Sequence, residues 1–108
     1  MGQVIKTYVF NKMAHYRHNQ CVFHTCKAQL GISLVDSSEV HPDIKFAIIA
    51  EFDKLYDHLY DDTDVFANKV FNSFMFIKSD FINNNEEFSK LIYSMDRLVQ
   101  TFKLWSFQ

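Results

Sequence analysis

The chain of 108 residues sets 11 Lys or Arg against 13 Asp or Glu, a formal charge of -2, and its hydrophobic content of 48% with 17% aromatics is too high for a disordered polymer. That length holds one domain with one modest core, and the slightly acidic balance supplies no global attraction to nucleic acid. With only two Gly and one Pro, long elements joined by short connections are favoured over a many-stranded sandwich.

In chain order, Val4 to Phe10 is apolar and β-branched enough for a short strand or a first helical turn, and the pattern does not choose between them. From about Asn11 to Val35 the apolar positions suggest a helix. Val22, Cys26, Leu30 and Leu34 recur at steps of four, and Gly31 weakens the pattern. Cys21 and Cys26 diverge on such a helix, so a mutual disulfide is not expected and the thiols read as those of a reducing, intracellular compartment. Residues 36–39 (DSSE) form a polar break. Val40 to Tyr60 then carries a helix start near residue 41, with Pro42 suited to the first turn and Asp43 facing the positive end of the dipole. Ile44, Ile48, Phe52, Leu55 and Leu59 lie on one stripe, widened by Phe46, Ala47, Ile49, Tyr56 and Tyr60. The acidic run at 61–64 ends this helix. Beyond it, the density of Phe and Val favours strand, although Phe66, Val70, Phe74, Ile77 and Phe81 are equally a helical stripe. Residues 82–87 (INNNEE) read as a turn by composition, and Phe88 to Phe107 is again open between a helix and a strand pair. Neither a signal peptide nor a membrane span is visible.

Little in the chain points to catalysis. His15, His18, Cys21, His24 and Cys26 are dense, and thiolate with neutral imidazole is a common zinc set, so His18, Cys21 and His24 are the metal-ligand candidates. One helix could supply only two or three ligands, leaving His41 or His58 to complete a tetrahedron. The favoured reading is titrating surface histidines and cysteines acting as small apolar side chains. Asp57, Asp61, Asp62 and Asp64 gather around His58, which an acidic, solvated helix end explains without acid–base chemistry. No Gly-rich phosphate loop, GxSxG or HExxH motif occurs, so a non-enzymatic protein without a cofactor is expected. Lys12, Arg17 and Lys27 would support only a weak or indirect DNA contact.

Tyr16-Arg17, then Val40-His41-Pro42, then Phe52-Asp53-Lys54 follow one another as in the small (gamma) subunit of transcription factor IIA, which the chain resembles in patches over residues 16 to 100. Phe66-Ala67-Asn68-Lys69-Val70-Phe71, Ser73-Phe74-Met75 and Met95-Asp96-Arg97-Leu98-Val99 are similar to later segments of that family. The resemblance implies an α+β chain. Residues 1–62 would form a helical hairpin entering a four-helix bundle with the large subunit, and residues 63–108 antiparallel β-strands entering a shared β-barrel. It further implies a nuclear subunit of a general transcription factor, paired with the large subunit to support a TATA-binding-protein promoter complex, without a membrane role. Asp64-Val65 stands where the family has a Tyr-Arg pair that helps engage the TATA-binding protein. The partner-binding residues on this reading are Tyr16, Arg17, Ile44, Ile48, Phe52, Leu55 and Leu59 in the helical part and Phe66, Val70, Phe74 and Phe76 in the β part. The alternatives are a self-contained, mostly helical interaction or inhibitor protein and a Cys/His metal-binding regulator.

Overall fold

A computed structural model describes the backbone of residues 2–37, 40–82 and 86–106 and the side chains of residues 8–37, 40–82 and 89–101. The order is α1 (Gly2–Asp36), α2 (Pro42–Asp53) continued by a 3₁₀ turn (Lys54–His58), α3 (Thr63–Ile77) continued by a π turn (Lys78–Ile82), and α4 (Glu86–Ser106). Among the described residues there is no strand. The expected α+β class is therefore corrected to an all-helical bundle, and so is the expectation that residues 63–108 are β-rich and contribute to a barrel.

The physical reason lies in the polar residues between the aromatics. Alternation starting at Phe66 would turn Asn68 and Asn72 inward together with Val70 and Phe74, whereas a 3.6-residue period buries Phe66, Val70, Phe74 and Ile77 and leaves both Asn exposed. β-propensity measures fit to a half-buried pleated surface, and here the period overrides it. Phe76, expected in the same sheet as Phe66, Val70 and Phe74, is 44% exposed on the outer side of α3. In α4 the buried Ile92, Met95 and Val99 follow the same period.

Local signals set the ends. His41 caps α2 by accepting the Asp43 N–H on its Nδ1 at 3.1 Å, with Pro42 in the first turn. Asp62 precedes α3 and its carbonyl accepts the Phe66 N–H at 2.9 Å. Its carboxylate does not cap the helix and instead lies 3.5 Å from His15 Nε2. The segment Val4 to Phe10 belongs to α1. Residues 83–85, the centre of the expected turn, lie outside the described residues, as do Ser38 and Glu39 of the polar break.

Thirty-five residues at 1.5 Å each make α1 about 52 Å long, so it sets the 57 Å long axis of a body only 26 by 20 Å across. The helices run up, down, up and down. α1 and α3 form the central pair, packed on each other and on both α2 and α4. Between them three rings stack in series. Phe23 lies on Phe52 at 5.3 Å and 10°, and Phe52 lies on Phe74 at 5.3 Å and 15°, joining α1, α2 and α3 through one column. Tyr56 meets Phe23 edge-on at 5.9 Å.

Two substitutions test this packing. Phe52→Ala removes the middle ring from a site with no exposure and is expected to cost about 3–5 kcal/mol in urea unfolding; a loss under 1 kcal/mol would mean that the column is not central. Gly31 lies inside α1, and a Cβ there would meet nothing within 4 Å. Gly31→Ala should therefore raise stability by about 0.5–1 kcal/mol through helix propensity alone, and a decrease would show that the position is not an open helical one.

Candidate functional site

Of the residues expected to bind a large subunit, most lie inside the chain's own core. Ile48, Phe52, Leu55 and Leu59 are buried, as are Phe66, Val70 and Phe74. Ile44 is 38% exposed, Arg17 is exposed and Tyr16 is half-buried. The Tyr16 and Tyr60 rings lie 4.7 Å apart, tilted by 30°, and desolvation with the nearby Tyr56 and Tyr60 raises the Tyr16 phenol pKa.

The metal-ligand candidates do not assemble. Cys21 and His24 point outward, Cys26 is buried and His18 is half-buried. Among the described residues no group of three His, Cys, Asp or Glu side chains is placed to hold a metal ion. Two carboxylates of the acidic cluster, Asp61 and Asp62, face basic side chains. Lys69 Nζ donates to the Asp61 carboxylate and lies 3.2 Å from His58 Nδ1, while Asp62 faces His15. A cleft of about 360 Å³ beside this network is lined by Glu51, Lys54, Leu55, His58, Lys69, Asn72, Ser73 and Phe76. Lys54 donates to Glu51 at 2.7 Å, so both lysines of the cleft face carboxylates and offer little field to an anion.

Behind that network sits Asn19, a fully buried polar side chain on α1 that sequence reasoning passed over. Its Nδ2 donates to the Leu59 carbonyl at 2.9 Å and to the Asp61 carbonyl at 2.7 Å, satisfying the backbone where the 3₁₀ turn ends. The pattern held a signal for it. Asn19 and Phe23 flank the stripe of Val22, Cys26 and Leu30, and a polar residue beside a core stripe asks for a backbone partner.

The surface feature that stands apart is apolar. Near the end of α1 and the start of α2, Gly31, Leu34, Val35, Pro42, Lys45, Phe46 and Ile49 line an open groove of about 470 Å³. Val35 is 78% exposed and Phe46 75%. The floor is open because Gly31 brings no side chain to it. Phe46 reads in sequence as a widening of the Ile44–Leu59 stripe, but it lies on the far side of α2 from the buried Ile48 and Phe52. A wide apolar stripe carries no mark of which edge is left uncovered.

Comparison with protein-family models, with curated proteins and with solved structures returns no match to this chain.

The two thiols provide a check on the placement of α1. Burial pushes the Cys26 thiol up to about 12 from an ordinary 9.0, whereas Cys21 is open to solvent. A maleimide at pH 7.5 should modify Cys21 within minutes and leave Cys26 untouched until denaturant is added, as read by peptide mass. The raised folded value fixes the sign of the pH effect. The contribution of Cys26 is fully present below pH 9 and is lost as pH rises from 9 towards 12, because the unfolded thiol ionises first. Equal labelling of both cysteines in the native protein would contradict the placement of α1.

Proposed function

We propose that the chain is a non-enzymatic, helical interaction protein that receives an apolar helix in the groove between α1 and α2. The supporting observation is the exposure of Val35 and Phe46 on either side of an open apolar floor. In a protein of this size such side chains side by side mark a contact surface more readily than scattered exposed residues do. A small molecule seated between walls three-quarters exposed would stay largely wet, whereas a helix laid along the groove covers both walls and the floor. Lys45 lines the groove as well, and the methylene stem of a lysine can extend such an apolar surface.

A role as a general transcription factor subunit in the nucleus is a second proposal, motivated by the order of motifs from Tyr16 to Val99. In this fold its large-subunit partner would have to use the groove and the outer face of α1, since the stripe from Ile48 to Leu59 is occupied by α1 and α3.

Both readings meet in one experiment. The tagged chain and its Val35→Glu/Phe46→Glu variant are expressed in the source cells, or co-expressed with the transcription factor IIA large subunit of the same organism. Cross-links from Lys45 are then mapped by mass spectrometry. The variant should keep its unfolding free energy within about 0.5 kcal/mol, since both sites are exposed, and lose the Lys45 cross-links to a helical segment. Identical cross-links in both proteins would remove the groove as the contact site. A one-to-one complex with the large subunit that the variant abolishes would favour the transcription reading over the general one.

A further inference from the structure

α1 presents a continuous outward face. Phe10, Ala14, Cys21, Ala28, Ile32 and Val35 are all exposed, and at 100° per residue they lie within about 40° of one line along the helix. Their spacing is four, seven, seven, four and three, with the exposed Arg17 and His24 filling the two seven-residue steps of the seam, and the small residues at 14, 21 and 28 recur every seven. The face is also symmetric about its middle. Ala14 and Ala28 lie seven residues on either side of Cys21, and Phe10 and Ile32 eleven, about 16 Å each way.

We infer that the occupant of this face is a second copy of the chain, its α1 antiparallel to the first, with the two-fold axis passing near Cys21. The inference rests on the groove reading and names the helix that fills it. In this register Ala14 faces the Ala28 of the other copy, so the helix axes approach within about 8 Å. Phe10 comes beside the other copy's Ile32 and Gly31, next to the groove floor. A two-fold axis perpendicular to both helices keeps the same flank of each on the same side, so Met13, on the groove side of α1, also falls towards the other copy's Phe46.

Area argues for the second copy. Phe10, Met13, Ile32, Val35 and Phe46 are 72%, 49%, 59%, 78% and 75% exposed, which is on the order of 600 Å² of apolar surface per copy. With the small residues of the seam and the stem of Arg17, the face approaches the roughly 800 Å² per partner of a standard stable interface. Charge does not oppose the pairing. Lys27 is held by Asp53 at 2.8 Å and Lys12 donates to the Tyr60 carbonyl at 3.3 Å. Arg17 would sit about 12 Å along the axis from its symmetry mate, past a Debye length of about 10 Å at 0.1 M salt.

The test is light scattering on the full chain from low to high micromolar concentration, with the Ala14→Glu and Val35→Glu variants and far-UV circular dichroism as the folding control. Bismaleimidoethane then bridges exposed thiols. A mass of twice 12.8 kDa, a covalent dimer joined Cys21 to Cys21, and loss of both in either variant at unchanged helix content are the expected results. A wild-type monomer throughout would overturn the second copy as occupant and leave the groove reading to its own cross-linking test. A dimer that survives Ala14→Glu, or that no Cys21 bridge captures, would overturn the antiparallel seam. If it also survives Val35→Glu, the groove would be excluded as the site of self-association.

Discussion

The column of Phe23, Phe52 and Phe74 is the contact on which the rest of the structure depends. Each ring comes from a different helix, and the middle one has no exposure, so three elements share one desolvated axis. Stacked aromatic pairs contribute about 0.5–1.5 kcal/mol beyond the area they bury. The geometric effect matters as much. Rings nearly parallel at 5.3 Å fix both the spacing and the rotation of α1, α2 and α3, which determines which side chains of each helix remain outside. The exposed groove and the outward face of α1 are consequences of how that column orients the helices.

The first half of the chain was more legible than the second. The α2 start at His41-Pro42 and the burial of Ile48 and Phe52 follow from a cap, a proline and a period, all local features, although Ile44 at the head of the same stripe is left 38% exposed. The stripe of Val22, Cys26, Leu30 and Leu34 is likewise buried as its spacing implies. Residues 65–81 misled because Phe and Val composition and the resemblance to a half-β family pulled towards strand, while Asn68 and Asn72 carried the contrary signal in their spacing. Composition speaks for average surroundings, and period speaks for geometry. Where they disagree over a fifteen-residue stretch such as Thr63–Ile77, the polar positions decide, since burying an unpartnered amide costs more than a weak propensity contributes.

The site was less legible than the fold, for a different reason. The apolar positions that make α2 a wide stripe look the same whether they face the chain's own α1 and α3 or another molecule. Ile48 and Phe52 went inward and Phe46 stayed outward, a division set by tertiary arrangement and absent from any local pattern. The histidine and cysteine cluster is dense in sequence, but its spacing already favours separate surroundings, and the turns of α1 carry Cys21 outward and Cys26 inward.

Asn19 has a consequence for how the chain reaches this structure. The carbonyls of Leu59 and Asp61 are satisfied from a residue about forty positions earlier, so α1 supplies part of the hydrogen bonding of the connection between α2 and α3. Closing a loop of that length carries its entropic cost before the hydrogen bonds form, which assigns the α2–α3 corner to the late part of folding and couples it to the docking of the longest helix. In the reverse direction, separation of α1 from the bundle leaves one buried and one part-buried carbonyl without their donor, which couples opening of this corner to the departure of α1.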